Sequence, residues 1–186
     1  MSTLITTTAQ IGTIKDAGGN NTAMTIASDG TVAFAKKVYF YGQKASSQTL
    51  SRGVDTNVTG FTNGELDSHS GFDGTTFTVP SGQGGIYHIA CSVEINYGDV
   101  GQDGEAHSLR IKKNGSTIRQ SRYSNPNNQG YTNFHQMEAA GIFSLSASDA
   151  ITINVTGGDV NGGGGGKILG GSSYYDTSVF YGFKLD

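Results

Sequence analysis

Tyr87-His88-Ile89-Ala90-Cys91-Ser92-Val93-Glu94-Ile95-Asn96-Tyr97 alternates between two kinds of residue. Tyr87, Ile89, Cys91, Val93, Ile95 and Tyr97 take every second position, and His88, Ala90, Ser92, Glu94 and Asn96 fill the others. A period of two sends successive side chains to opposite faces, so the stretch predicts a long strand with one buried and one mostly polar face. A helix would scatter the same apolar residues round its circumference. Gly84-Gly85 before it and Gly98 after it punctuate its ends.

The alternation recurs on both sides. Val38-Tyr39-Phe40-Tyr41 opens the main domain, Val58 to Asp73 reads as short strands, and Phe77 and Val79 run up to Pro80. Downstream come His107, Leu109 and Ile111; then Met137, Ala139, Gly141, Phe143 and Leu145; then Ile151, Ile153 and Val155. Asn114-Gly115 favours a primed two-residue hairpin turn, and Ser146 to Asp149 is a short connection. Val179, Tyr181, Phe183 and Leu185 close the chain, with Phe180 on the opposite face. Aromatics on both faces of one strand need two surfaces to bury against, a sandwich core and a neighbouring subunit. About eight to ten strands, without a helical pattern, argue an antiparallel sandwich or barrel.

Composition bounds the rest. The 186 residues suffice for one domain with a real core plus an appendage. Gly is 29 of them while only 15% are charged, which fits turns and long loops; no Gly-X-Y period is present, so collagen is excluded. A net charge of -3 with scattered Lys and Arg gives no footprint for nucleic acid or an anionic membrane, and no segment is apolar enough to span a bilayer. Met1-Ser2-Thr3-Leu4-Ile5 lacks the basic and apolar regions of a signal peptide, so the chain is expected to fold where it is made. Cys91 is the sole cysteine; it allows no intramolecular disulfide and reads as a small core residue, not a nucleophile.

Residues 1–36 differ from the strand-rich remainder, 37–186. They are rich in Thr, Ala and Gly, and Asp29-Gly30 separates the alternating pairs Met24/Ile26 and Val32/Phe34, a hairpin signal. A hairpin this small cannot bury enough to stand alone and needs a partner.

Phe72-Asp73-Gly74, Phe77-Thr78-Val79-Pro80, Gly85-Ile86-Tyr87-His88-Ile89, the run Leu109 to Gly115, Gly141 to Leu145 through Asp149-Ala150-Ile151, and Ser178 to Leu185 occur in an order that resembles the globular domains of the complement component 1q and tumour necrosis factor family. The resemblance covers Val38 to Asp186 and implies an all-β antiparallel jelly roll that assembles as a homotrimer. Gly157 to Asp176 is longer and richer in glycine than the family pattern, so loop functions do not carry over. Ala23-Met24-Thr25-Ile26-Ala27-Ser28-Asp29-Gly30-Thr31-Val32-Ala33-Phe34 resembles the leader of structural proteins of tailed bacteriophages, where it precedes a fibre, knob or decoration domain. That resemblance implies a virion protein whose arm binds capsid or tail proteins. The alternative is a cellular adhesion or ligand-binding module of the same fold, which gene neighbourhood distinguishes.

Catalytic patterns are missing. Gly162 to Lys167 has Asn161 where a phosphate loop needs its first Gly and Ile168 where it needs Ser or Thr. No Gly-x-Ser-x-Gly elbow occurs, Glu65 and Asp67 are an ordinary exposed pair, and enzymatic activity is not expected. His69, His88, His107 and His135 lack metal-ligand spacing and read as surface histidines, with His88 and His107 able to face each other on adjacent strands. Asp99, Asp103 and Glu105, interleaved with glycines, form the one acidic cluster able to wrap calcium, against the plainer reading of a solvated loop. Alternate connections of an antiparallel sandwich lie at opposite ends. One end then collects the long loops with Tyr123, Asn125, Asn128, Tyr131, Tyr174 and Tyr175, a composition suited to binding, with a host-surface glycan as the expected ligand.

Overall fold

The structure, a computed structural model, describes residues 13–15, 22–34, 37–96, 106–124, 134–157, 166–171 and 178–185. The chain forms two compact units, Met1–Lys37 and Val38–Asp186.

In the first unit, β1 (Thr13–Lys15), β2 (Thr22–Ile26) and β3 (Val32–Phe34) form an antiparallel sheet in that order. The β2–β3 hairpin pairs Met24 with Phe34 and Ile26 with Val32, as the alternation about Asp29-Gly30 predicts. Gly30 takes φ +84°, and Asp29 Oδ1 accepts from Thr31 N at 2.9 Å. β1 escaped the sequence reading, because three residues with one apolar side chain display no period.

The second unit contains β4 (Tyr39–Gln43), β5 (Gln48–Thr49), β6 (Asp55–Asn57), β7 (Asn63–Asp67), β8 (Thr76–Thr78), β9 (Gly85–Asn96), β10 (Ala106–Lys113), β11 (Ser116–Ser124), β12 (Phe134–Leu145), β13 (Ala150–Thr156), β14 (Lys167–Ile168) and β15 (Val179–Lys184). The spine of one sheet is β9. Its whole length pairs with β12 along one edge, while β15 and β14 share the other; β4 and β7 continue beyond β15. The second sheet runs β11-β10-β13, with β6 and β8 sharing the far edge of β13. Among the described residues there is no helix. The strands exceed the expected eight to ten because edges are made of two- and three-residue pieces, too short to show alternation.

Core residues come from the inward positions of both sheets: Tyr87, Ile89, Cys91, Val93 and Ile95 from β9 face Leu109, Ile111, Ile151, Ile153 and Val155, all buried. A phenylalanine cluster fills one side, with Phe40 stacked on Phe77 at 4.2 Å and Phe180 set edge-on to Phe40 at 4.9 Å. Tyr87 reaches through this layer to donate its hydroxyl to Gln83 O at 2.6 Å.

The mostly polar alternate face of β9 is present, but it does not lie open to water, since Ala90, Ser92 and Glu94 are buried. Ala90 is flanked in register by Ala140 and Tyr181, Gln136 donates to Ser92 Oγ at 2.9 Å, and Ser178 Oγ accepts from Glu94 N at 3.0 Å. A strand central to its sheet is covered by its neighbours even on its polar side. His88 and His107 do not face each other either: β9 and β10 belong to different sheets, and His88 pairs with Ile142 and Phe183 while His107 pairs with Tyr123.

Candidate interaction surfaces

Register aligns the outward residues of the β9 sheet into rows. One runs Ile142, His88, Phe183, Tyr39, and the next runs Ala140, Ala90, Tyr181, Tyr41, Leu66. Ile142 is 66% exposed and Leu66 59%, and Tyr39, Phe183, Ile86 and Leu185 are exposed as well. β15 explains the two-sided aromatics of the closing strand. Phe180 is its inward residue, Tyr181 and Phe183 point outward, and Gly182 leaves room beneath. A Cβ on Gly182 would lie 2.6 Å from Ile89 Cδ1 and 2.7 Å from Phe40 Cε1. The His88 ring sits 5.1 Å from that of Phe183, and its buried Nδ1 has no hydrogen-bond partner among the described residues. Towards the far end of the sheet the rows turn polar, and a depression of about 280 Å³ is lined by Ser92, Gln136, Glu138, Ala140 and Tyr181 among others.

At one end of the sandwich, Phe134 and Lys167 both pair with Asn96, while Ala106 pairs with Ser124 in the other sheet. Tyr123 stacks on His135 across the two sheets, with ring centroids 3.5 Å apart. The long connections predicted at one end therefore start from strand ends that meet there. Tyr123 is the one proposed ligand-binding residue that the structure places. Asn125, Asn128, Tyr131, Tyr174 and Tyr175, like the proposed calcium ligands Asp99, Asp103 and Glu105, lie outside the described residues. No group of three His, Cys, Asp or Glu able to hold a metal occurs among the described residues.

In register with Tyr123 lies His107, whose burial is absent from the sequence reading. His107 is 1% exposed, so it is no surface histidine. Burial, and then the neighbouring charge of His135, push its pKa down to about 4; burial lowers that of His135 too. His107 is in phase with Leu109 and Ile111, and that phase was the available signal of an inward position. Outside the stack, a cleft of about 370 Å³ separates the edge strands β11 and β12, lined by Arg122, Tyr123, His135, Gln136 and Glu138 with Ser121 and Met137.

The opposite end is a tight polar knot. Asn114 and Gly115 take φ +50° and +81°, the positive pair a primed turn requires. Asp149 accepts from Ser146 N at 2.7 Å and Asn114 Nδ2 at 2.7 Å, and pairs with Lys113 Nζ at 2.8 Å. The Lys113 and Ser146 bonds hold its carboxyl down at about 2. Cys91 is a core residue as expected, its thiol pushed up to about 12 by burial. Lys44 is buried, which no pattern revealed; it donates Nζ to Thr59 O at 2.6 Å, and burial lowers its pKa.

No protein-family model matches the chain, and no curated protein matches it. Solved structures do. Murine APRIL, crystallised at pH 5.0, is 15% identical with a TM-score of 0.54, covering 80% of this chain and 99% of its own. The globular domain of zebrafish complement 1qA is 20% identical with a TM-score of 0.51, covering 81% and 98%. With the two sheets and their order described above, these likenesses assign residues 38–186 the antiparallel jelly-roll fold of complement 1q and tumour necrosis factor domains.

Proposed function

We propose that the chain is a homotrimeric structural protein of a bacteriophage particle, of capsid-decoration, knob or fibre type. Residues 1–36 attach it to capsid or tail proteins, and the jelly roll is displayed outward to bind a host-surface glycan. The observation that carries self-association is the outward face of β12, β9, β15 and β4. Its two central rows hold aromatic and aliphatic side chains and no Asp, Glu, Lys or Arg, and exposed apolar patches of this kind mark interaction sites. A second copy is the favoured occupant, because the domains this one resembles assemble with themselves. The particle assignment is supported by the leader at Ala23 to Phe34 alone.

Light scattering coupled to size exclusion tests the first half: three times the 19.4 kDa chain mass is expected, and a monomer at micromolar concentration refutes it. Deleting Met1 to Lys36 tests the second: the remaining trimer is expected to stay folded and to be lost from particles. Electron microscopy of the intact particle locates the subunit. Shortening Gly162 to Gly166 and replacing Tyr174 and Tyr175 by Ala is expected to reduce host adsorption without affecting incorporation.

A further inference from the structure

The small N-terminal sheet is one-sided. Strand register places Ile14 opposite Met24 and Val32 opposite Ile26, and Met24 and Ile26 are two apart on β2. All four side chains therefore occupy one face, while Thr13 and Thr25 pair on the other. Ile14 remains 42% exposed and Val32 46%, although both belong to the apolar face. No charge interrupts it: Asp29 sits in the turn, where it caps Thr31 N, and Lys15 lies beyond the irregularity that follows Ile14.

We propose that this face packs against the same face of the arms of sister copies, so that the arms form a shared β-core. The inference rests on the homotrimer proposed above. Size is the argument for a sister copy over a foreign protein. Ile14 and Val32, with the less exposed Met24 and Ile26, offer on the order of 250 Å², against about 800 Å² per partner in a stable interface between free proteins. A foreign partner cannot be held by that area alone. A sister arm can, because each arm is covalently tethered to a jelly roll and the tether raises its effective concentration to about the millimolar range. The composition is also self-complementary, since uncharged aliphatic surfaces meet one another without an unpaired charge. Among the described residues β1 and β3 are the outer strands of this sheet, and such edges can add strands from a particle protein.

The test uses the full-length chain with single cysteines introduced by Ile14→Cys or Val32→Cys on the apolar face and Thr25→Cys on the polar one. Native Cys91 is buried and stays silent. Under mild oxidation, Ile14→Cys and Val32→Cys are expected to give covalently linked copies in most molecules, at least five times the yield from Thr25→Cys. Equal yields from the two faces, or none from either in a chain that light scattering shows to be trimeric, overturn the shared core while leaving the trimer intact. A monomeric mass overturns the trimer, and the shared core with it.

Discussion

His107 makes a quantitative claim about acid. Its imidazole is buried, in register with Tyr123 and near His135, and its pKa falls from an ordinary 6.5 to about 4. The unfolded chain therefore binds a proton near pH 6.5 that the folded chain refuses until about pH 4. Stability is complete above pH 6.5 and declines as pH falls through that window, because the unfolded state holds more protons. A pKa lowered by one is worth ~1.4 kcal/mol, so moving from pH 7 to pH 5 should cost up to about 2 kcal/mol. His135 is lowered as well and acts in the same direction. Asp149 does not interfere, since its depressed carboxyl, at about 2 against an ordinary 3.8, is lost only in stronger acid. The assay is urea unfolding by circular dichroism at pH 7 and pH 5, at one protein concentration, for wild type and His107→Gln. The chain has no Trp, so fluorescence is a poor probe. The variant should be less stable at pH 7, having lost a fitted ring, yet show a clearly smaller fall between the two pH values. Identical pH dependence in both proteins refutes the assignment.

Asp149→Ala should lower stability at neutral pH by about 1–3 kcal/mol, because it removes the charged acceptor of Ser146 N–H and releases Asn114 and Lys113; thermal unfolding at pH 7 reads this. Its wild-type carboxyl stabilises the fold above pH 3.8 and ceases to between there and about 2, so the gap between wild type and variant should close in that acid range. Gly182→Ala should cost about 2–3 kcal/mol in urea unfolding, since the new methyl meets Ile89, Phe40 and, at 2.9 Å, the His88 carbonyl oxygen. Ile142→Arg should leave the stability of the fold itself within about 0.5 kcal/mol in urea, because the side chain is exposed there, while light scattering should detect dissociation of the proposed trimer.

The long strands were legible because each carries enough residues to show a period. From Tyr87 to Asn96 β9 follows the period, and its inward residues Tyr87, Ile89, Cys91, Val93 and Ile95 are all buried. Asn114-Gly115 and Asp29-Gly30 were legible because only a few residue types accept positive φ. What stayed hidden was whatever depends on which strands become neighbours. The link between β9 and β10 looked like an ordinary reversal, and nothing in its composition announces that it crosses from one sheet to the other. That single unreadable crossing separated His88 from His107 and brought His107 to His135 instead. Lys44 was hidden for a similar reason: its burial depends on chain segments near Thr59 and Gly170 that adjoin it only after folding.

The β9 sheet makes a further point about reading alternation. A period of two says that a strand has two faces and leaves open what each face meets. On β15 the lone Phe180 and the small Gly182 are the inward pair, while the conspicuous run of Val179, Tyr181 and Phe183 points away from the core. The richer apolar face is therefore the outer one. In a chain that worked alone this would be a liability, since Tyr181 and Phe183 continue into Tyr39, Leu66 and Ile142 on neighbouring strands. Selection against aggregation would be expected to place Lys or Glu in those rows. Instead the first charged side chain met along β12 is Glu138, two rows from Ile142, where the surface turns polar. An apolar field that ends on a polar border, at one end of one sheet, has the layout of an interface core and rim. Where the charges stop, as much as where the aromatics lie, favours a second copy as the partner of this face.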